Sequence, residues 1–330
     1  MQTATDSTIG LTPSGNGARM SPFATVVNDD ATETSAVQNS GRVQRSWGSI
    51  VPIVLIHVLA LGLAPFYFTW TGFAVGVASA YVIAPLGINL GYHRLLTHRS
   101  LSVPKWLEHT LVFIALLSLE GPPIQWVAVH RLHHRWSDTD SDPHSPTRSF
   151  FWAHVGWLFL NWRQAWAATT YARDLAKDPF YRWLQVGIRW FLIYLAHVAV
   201  FWGVALLAGW LAWHDLSAAL HLAASVVVWG VLVRQLYVWH VTWGINSATH
   251  RWGYRTYETE EGSRNNWVLG LLGAGEGWHN NHHHDQASAS NWHRPWEVDY
   301  TYMLIRLLEI MGLARDVRRP RHERRERHLA

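Results

Sequence analysis

Residues 72–98 read GFAVGVASAYVIAPLGINLGYHRLLTH, an apolar run that ends at two histidines five residues apart. A helix of about 20 apolar residues is long enough to cross the ~30 Å hydrocarbon core of a bilayer. A buried helix of a soluble bundle is the alternative, but soluble helices carry a polar stripe and this run has almost none. The run therefore predicts a membrane span with His93 and His98 at its end.

Three further blocks share this length and character, and a fifth stretch is too short to span. Only 15% of the residues are charged, against about 25% in soluble domains. We therefore predict an all-α integral membrane protein with four transmembrane helices. The fifth stretch is expected to pack on the protein or to lie at the interface. The four blocks are Ile50–Phe68, Gly72–Tyr92, Trp190–Leu211 and Ala218–Trp243, and the short stretch is Trp106–Leu119.

The basic residues predict how these spans are oriented. Lys and Arg number three before the first block, ten in residues 93–187 and twelve after residue 243, and the two short links contain none. Because positively charged loops stay in the cytoplasm, both termini and residues 93–187 are predicted to be cytoplasmic. This distribution also explains the net charge of +4 without a nucleic-acid partner. Arg234 lies inside a span, where a charge is costly, and is either a functional residue or a structural hydrogen-bond partner.

Composition divides the chain into three regions. Residues 1–45 lack apolar periodicity and a secretory signal, and predict a disordered tail. Residues 46–317 form the membrane domain, in which 93–187 and 244–317 build a cytoplasmic helical cap. Residues 318–330 form a basic tail that either contacts anionic lipid or is simply solvated.

Nine of the 21 histidines fall into four groups on the predicted cytoplasmic side. Spacings of three and four place side chains on one helical face, so the rings can converge on a metal ion. A single pair would be explained by packing, but two HxxHH motifs and an HxxxxH motif on one face predict a metal site. The groups are His93 and His98; His130, His133 and His134; His250; and His279, His282 and His283, followed by His284.

The number and type of these ligands narrow the choice of metal site. Imidazole binds Zn, Cu, Fe and Ni alike, but nine histidines exceed the three or four ligands of one zinc ion and suit two ions. The chain has no Cys, which excludes thiolate zinc sites, Cys-ligated iron–sulfur clusters and disulfides. Asp138, Asp140 and Asp142 follow the second group and can accept the second ring N–H of ligating histidines. The alternative for these three is a solvated acidic loop.

With these motifs in place, the chain resembles the membrane fatty-acid desaturases, in particular the stearoyl-CoA (Δ9) branch and its bacterial acyl-lipid relatives. The resemblance covers residues 50–320 and rests on GYHRLLTHRS, HRLHHRWSDTDSDPHS, NSATHRWG and GEGWHNNHHHD, in that order. The late segment WEVDYTYMLIRLLEIMGLARDV is similar too. The resemblance implies a cap that holds two iron ions. It also implies an O₂-dependent reaction that introduces a cis double bond, by family at Δ9, into a saturated acyl chain.

The resemblance also implies which residues hold the metal. One iron takes His93, His98, His134 and His283, with Asn246 acting through a water, and the other takes His130, His133, His250, His279 and His282. His284 stands where the family usually has another residue, and the HxxHH spacing favours the pair before it. Histidine sites also accept zinc, so purified samples can carry zinc in place of iron.

Four residues are implied to shape the acyl pocket. Three match positions near the bend of the acyl chain, and the fourth matches a residue that closes the far end of the tunnel. Pro85 stands where the family has a small residue, which leaves chain length open. Packing at a membrane interface is the alternative for all four. They are Trp126, Thr242 and Trp243 at the bend, and Tyr81 at the end.

The acyl carrier stays open between CoA and a membrane lipid. HRLLTHRS and the stretch DPFY at residues 178–181 resemble the acyl-lipid enzymes and favour lipid. A CoA carrier would need a basic cradle, for which Arg131, Arg135, Arg148 and Arg189 are the candidates. The electron donor is expected to be a separate ferredoxin or flavin reductase, because the chain lacks Cys, the haem motif HPGG and a convincing GxGxxG. A basic cytoplasmic face would suit an acidic ferredoxin.

Two other functions fit parts of the pattern. A di-iron hydroxylase would share the histidine motifs and differ in where the substrate C–H bond sits. A metal transporter would need ionisable ligands at mid-membrane depth, whereas the clustered histidines lie past the span ends. The histidines inside or beside the spans are scattered and are expected to be solitary packing residues. They are His57, His197, His221 and His240.

Overall fold

The computed structural model describes residues 44–160, 170–321 and 323. The predicted tail 1–45 lies outside these residues except for its last two, and most of the predicted tail 318–330 lies outside them as well. The described residues form α-helices, short 3₁₀ turns and no β-strand. The helices are α1 (Trp47–Leu63), α2 (Trp70–Thr97), α3 (Lys105–Leu116), α4 (Pro123–Trp136), α5 (Phe150–His154), α6 (Pro179–Gln185), α7 (Arg189–Trp213), α8 (Leu216–Ser247), α9 (Trp267–Leu272), α10 (His279–His284) and α11 (Tyr300–Ile310), and the 3₁₀ turns are Gly156–Phe159 and Leu175–Lys177.

Three helices are long and apolar enough to cross a membrane. α2, α7 and α8 have 28, 25 and 32 residues and contain the last three predicted spans. α1 covers most of the first predicted span but has only 17 residues, about 25 Å at ~1.5 Å per residue. A turn follows it at residues 64–67. The structure thus has three candidate spans and a shorter apolar helix, and the fourth span stays a prediction.

The second half of α2, Ala84–Thr97, is π-helical. The backbone N–H of His98 donates to the carbonyl oxygen of His93, five residues earlier, at 3.1 Å. An α-helix would place residues five apart about 140° from each other around its axis. The wider turn instead brings the two rings to 4.7 Å between centroids. The π-helical turn therefore allows the two histidines of the HxxxxH motif to face each other. Such turns are frequent at functional sites.

α3 packs across the π-helical part of α2. Leu111 and Ala115 are buried against it, whereas Trp106 and Phe113 on the opposite face are exposed. The approach is close because Gly87 has no side chain: a Cβ there would lie 2.6 Å from the Cα of Ala115. The short stretch predicted as non-spanning is therefore a helix packed on the protein.

The ends of α2 and α8 lie on the same side of the molecule, where the other helices enclose them. α3, α4 and α6 share a buried core with α2 that includes Tyr92, Leu116, Leu132 and Leu184. On the opposite flank, α10 and the segment before α11 hold the end of α2 through buried polar contacts. Histidines of α4 and α10, and those at or just past the ends of α2 and α8, are thereby brought into one small volume.

Candidate metal centre

Five histidines meet at the end of α2. The Nε2 atoms of His93 and His282 are 3.1 Å apart, those of His282 and His134 are 3.0 Å apart, and those of His134 and His130 are also 3.0 Å apart. One ring nitrogen from each of the five lies within 4.8 Å of the others. The first histidine group consists of His93, His98, His130, His134 and His282.

Four more histidines form a second group beside the first. The Nε2 atom of His279 lies 3.1 Å from that of His250 and 3.0 Å from that of His283. The ring centroid of His133 is 5.4 Å from that of His250 and 5.3 Å from that of His283. The second histidine group therefore consists of His133, His250, His279 and His283, all of them buried.

Helical spacing decides which histidine enters which group. Residues four apart share a helix face, so His130 and His134 of α4 enter the first group together. In the same way His279 and His283 of α10 enter the second group. The remaining histidine of each motif joins the other group: His133 of α4 lies in the second group and His282 of α10 in the first. The grouping by distance differs from the division implied by the family resemblance at three positions, since His130 and His282 lie with the first group and His283 lies with the second. Which ion each of these three would bind stays a prediction.

Carboxylates hold the outer ring nitrogens of both groups. The Nδ1 atom of His93 lies 2.8 Å from Glu276, that of His133 lies 2.9 Å from Asp142, and that of His250 lies 2.9 Å from Asp138. Two of these three carboxylates, Asp138 and Asp142, are among the predicted partners. A neutral imidazole that donates from Nδ1 presents a lone pair at Nε2, and the hydrogen bond of His133 to Asp142 fixes this arrangement in the second group. His250 Nδ1 is close to Asp138 but does not have hydrogen-bond geometry toward it.

Lone pairs that face one another need a cation between them. Nε2 atoms 3.0–3.1 Å apart cannot all be hydrogen-bonded, because most of these rings have only one N–H. The Nε2 atoms of His98 and His133 are buried and have no hydrogen-bond partner among the described residues. Metal–imidazole bonds of ~2.1 Å at angles between 90° and tetrahedral place ligand nitrogens about 3.0–3.4 Å apart. The residues of both groups therefore fit metal ions.

Burial keeps most of these imidazoles in the neutral form that binds metal. Desolvation, together with the charges of neighbouring histidines, lowers the pKa of six of them well below its usual value. In His133 burial also disfavours the charged form, but Asp142 and more distant carboxylates outweigh it and raise the pKa. The six are His98, His130, His134, His279, His282 and His283.

A buried arginine supports the carboxylate behind His93. Arg94 donates to Glu276 at 2.7 Å and to Asp299 at 2.9 Å, and to the carbonyl oxygen of Ala289 at 2.8 Å. Burial opposes ionisation of Glu276, but Arg94 and His93 outweigh it and lower its pKa to about 2. Our sequence reasoning did not single out Arg94, Glu276 or Asp299. The available signals were that Arg94 lies between two motif positions and that Glu276 and Asp299 lie inside two of the segments that carry the family resemblance.

Three further predicted residues lie near the groups. Asn246 is half-buried in the last turn of α8, four residues before His250. His284 lies outside both groups, and its ring stacks on that of Tyr257 with ring centroids 3.8 Å apart. The histidines after His279 that enter the groups are therefore His282 and His283, the pair favoured by the HxxHH spacing. Asp140 is exposed, and its role stays a prediction.

A small cavity lies between α2 and α8 and is also lined by Leu272, Gly273 and Ala274. Tyr81 and Thr242, two of the predicted pocket residues, line it, as does Pro85, together with Asn89 and Tyr237. Trp126 and Trp243 do not line this cavity. Its walls are largely apolar, and most of them belong to two candidate spans.

Glu120 connects the cavity with the first histidine group, and the sequence analysis missed it. Its carboxylate accepts hydrogen bonds from Trp126 Nε1 and Thr242 Oγ1, both at 3.0 Å. The indole of Trp126 in turn stacks on His130, with centroids 5.1 Å apart. Desolvation raises the pKa of Glu120 to about 7. A carboxyl group that anchors two predicted pocket residues is thus poised to titrate near neutral pH.

The histidines expected to be solitary are partly paired, which corrects that expectation. His57 and His240 face each other with their Nε2 atoms 3.1 Å apart. His197 contacts Arg234 at 3.0 Å, and Arg234 also donates to the carbonyl oxygen of Leu117 at 2.8 Å. The structure therefore gives Arg234 a structural hydrogen-bonding role that ties α3 and α7 to α8.

Comparison with known proteins agrees with this geometry. A sequence model of the fatty acid desaturase family matches residues 68–296, which include both histidine groups. The sn-1 stearoyl-lipid 9-desaturase of Anabaena variabilis is 40% identical over 86% of this chain and 97% of that protein. The sn-2 palmitoyl-lipid 9-desaturase of Nostoc sp. (strain 36) is 39% identical over 86% and 93%, and the chloroplastic palmitoyl-monogalactosyldiacylglycerol delta-7 desaturase of Arabidopsis thaliana is 36% identical over 86% and 73%. The chain therefore belongs to the fatty acid desaturase family.

Proposed function

We propose that this chain is an acyl-lipid Δ9 desaturase, which uses O₂ and two external electrons to introduce a cis double bond into a saturated fatty-acyl chain. The observation that carries the proposal is the pair of convergent histidine groups beside an apolar cavity. An alkyl C–H bond has no useful acidity, so acid–base groups alone cannot break it. The hydroxylase alternative is disfavoured because the three relatives named above are all desaturases.

The proposed metal ligands follow the two groups. One iron is held by His93, His98, His130, His134 and His282. The other would be held by His133, His250, His279 and His283. Asn246 would act through a water on the ion of His93, His98 and His134, as the family resemblance implies. When bound, the two ions supply the O₂ chemistry that the side chains lack. The carboxylates behind His93, His133 and His250 fix the ring tautomers and orientations.

The protein's own part in the reaction is to position the acyl chain and exclude water. The cavity between α2 and α8 takes the chain, with Tyr81 at its far end. Glu120 accepts hydrogen bonds from Trp126 and Thr242. These bonds hold both side chains in place in the wall between the cavity and the first histidine group. Trp243 packs against His154 and His57, and its proposed contribution is to hold this wall from behind.

A lipid carrier is favoured over CoA by the state of the candidate arginines. Arg131 is committed to Asp174 at 2.8 Å and to the carbonyl oxygens of Leu96 and Tyr171. Arg148 lies over the ring of Trp152, at 3.5 Å from its centroid. Side chains engaged in this way are poor components of a cradle for CoA phosphates. The two 9-desaturases described above act, by name, on acyl lipids.

The proposed topology places both termini and the metal centre in the cytoplasm. It is supported by the excess of Lys and Arg in residues 93–187 and after residue 243. On that side a separate ferredoxin or flavin reductase would supply electrons. If the donor is an acidic ferredoxin steered by basic residues, the rate falls as salt rises, and a rate independent of salt would argue against it.

The proposal is tested by gas chromatography–mass spectrometry of total fatty acids from an expressing host, with the position of the double bond determined. We expect a new cis-Δ9 monoene that is absent with His133→Ala. The matched control is His221→Ala, because His221 is an exposed residue of α8 remote from both groups. A hydroxylated acyl chain in place of the monoene would favour the hydroxylase. Full product formation by His133→Ala would overturn the ligand assignment.

A further inference from the structure

Residues 117–122 join α3 to α4 in a backbone conformation that needs support from outside. Leu119 has a φ of 51° and Gly121 a φ of 99°, both in the left-handed region. A residue with a Cβ populates this region sparsely, and it stays there only where surrounding contacts fix the chain. We call residues 117–122 the α3–α4 connection. Its contacts with other elements therefore determine its shape.

A row of donors on α8 holds the first half of the α3–α4 connection. Arg234 donates to the carbonyl oxygen of Leu117 at 2.8 Å. The side-chain amide of Gln235 and the indole N–H of Trp239 both donate to the carbonyl oxygen of Ser118, the indole at 3.1 Å. All three donors are buried. Two successive carbonyl oxygens just past the end of α3 are thereby bound by one helix.

Glu120 extends the row to the second half of the connection. Its carboxylate accepts a hydrogen bond from Thr242 Oγ1 at 3.0 Å. Thr242 lies three residues after Trp239, which itself lies four residues after Gln235, so these three side chains share one face of α8. One helix therefore holds the connection both at its start and at its carboxylate.

Glu120 also links the connection to the first histidine group. Its second carboxylate oxygen accepts a hydrogen bond from Trp126 Nε1 at 3.0 Å. The ring of Trp126 stacks on that of His130, with centroids 5.1 Å apart, and lies edge-on to that of His93 at 6.4 Å. Because Thr242 lines the cavity, Glu120 is the point at which the cavity wall is tied to the surroundings of two proposed metal ligands.

Arg234 contributes a charged donor to this row although it lies inside a candidate span, where a charge is costly. It also donates to the carbonyl oxygen of Gly230 at 3.3 Å and to His197 Nε2 at 3.0 Å. The Nδ1 atom of His197 donates to the carbonyl oxygen of Tyr194 at 3.0 Å, which leaves Nε2 as an acceptor. The guanidinium has five N–H donors in one plane. It therefore holds the α3–α4 connection, α7 and α8 in one arrangement.

We propose that Arg234, Gln235 and Trp239 are positioning residues that set which carbon–carbon bond of the acyl chain is desaturated. The inference rests on the proposed function. The methylene groups of a saturated chain are chemically alike, so the enzyme selects one pair only by the depth at which it holds the chain. By fixing Glu120, the row fixes the cavity wall relative to the first histidine group. A loosened connection lets neighbouring carbons reach the same place.

The deciding variant is Trp239→Phe, which keeps an aromatic ring and removes one donor to Ser118. The matched control is Trp229→Phe on the same helix. Trp229 also packs against aromatic rings, but its indole N–H donates at 3.2 Å to the carbonyl oxygen of Ala64, away from the connection. Gas chromatography–mass spectrometry of fatty acids from the expressing host measures the ratio of positional isomers of the monoene. We expect the share of isomers beside the main one to rise about 5-fold with Trp239→Phe and to stay at the wild-type level with Trp229→Phe.

The isomer ratio separates this role from a merely structural one, since loss of folded protein lowers the amount of product but leaves its composition unchanged. Gln235→Met removes the other donor to Ser118 and should shift the ratio in the same direction. Product of wild-type composition from these two variants, in any amount, would overturn the proposal, and so would an equal shift with Trp229→Phe. Absence of any monoene from the wild-type chain would instead count against the proposed function, so the two failures are distinguishable.

Discussion

The molecule uses histidine in two opposite ways within a short distance. In the two histidine groups, Nε2 atoms from different helices point at common centres, and carboxylates such as Glu276 and Asp142 hold the outer nitrogens. In the histidine chain of His57, His240 and His154, which lies outside both groups, the rings follow one another through contacts between their nitrogens, and the outermost nitrogen meets a backbone carbonyl. Convergent lone pairs can bind a cation, whereas a line of alternating donors and acceptors satisfies its own hydrogen bonds and holds its helices together. The geometry of both nitrogens, rather than the residue type, assigns the role.

The largest effect is expected when one of the proposed metal ligands is removed. His133→Ala takes one of four nitrogens from the second histidine group, where all four rings are buried. We expect loss of detectable monoene in gas chromatography–mass spectrometry and loss of iron from the protein, with normal membrane insertion. A variant that forms product at the wild-type level would show that His133 binds no metal.

A carboxylate behind a ligand should have the next largest effect. Asp142→Asn leaves a hydrogen-bond acceptor near His133 Nδ1 but removes the charge that raises the pKa of that ring. We expect metal affinity to fall by about 10–100-fold, measured by iron retention against a competing chelator. An exposed carboxylate outside the histidine motifs provides the control, as Asp316→Asn should retain iron like the wild type. Equal retention in both variants would remove Asp142 from the site.

Glu120 provides a pH test of the wall between the cavity and the first histidine group. Its pKa is raised from 4.5 to about 7 by desolvation, so the folded state holds this proton more tightly than the unfolded chain. The stability it contributes is complete below pH ~4.5 and is lost as pH rises through about 7, by at most about 3 kcal/mol. In Glu120→Gln this part of the pH dependence of thermal unfolding should disappear. A slope equal to that of the wild type would contradict the raised pKa.

The smallest expected effect concerns the far end of the cavity. Tyr81 lines the cavity and faces Tyr237, with ring centroids 6.4 Å apart. Tyr81→Ala should lengthen the saturated chains accepted, which the fatty-acid profile of the host measures. Val77→Ala, an exposed position on the same helix, should leave the profile unchanged. An unchanged profile with Tyr81→Ala would place the end of the tunnel elsewhere.

The convergent groups could be predicted from the sequence because helical spacing concentrates their members. His130, His133 and His134 stand within five residues, and a span end beside them fixes which side they occupy. The division into two groups was less accessible, since it depends on how α4 and α10 face each other. Only the structure shows that the i,i+4 pairs remain together and that His133 and His282 cross over.

The histidine chain and the supporting carboxylates lay beyond sequence reasoning for a different physical reason. His57, His154 and His240 come from three separate elements, and His221, the other histidine of α8, is 19 residues from His240, so no local spacing marks them. Glu120 is an isolated acidic residue between motifs, and Glu276 lies inside GEGWHNNHHHD, where its spacing does not mark it as a partner of His93. Contacts made across long stretches of chain leave no periodic signal. A polar residue inside an apolar helix, as with His57 and His240, is the nearest hint.

The most direct measurement is the iron-to-chain ratio of the purified protein and of three variants, by inductively coupled plasma mass spectrometry. Two convergent groups predict two ions in the wild-type chain, and about one each in His130→Ala and His283→Ala, which disrupt different groups. His240→Ala, in the linear chain, should keep both ions. A single ion in the wild type, or loss of iron with His240→Ala equal to that with His283→Ala, would contradict the division of roles between the two arrangements.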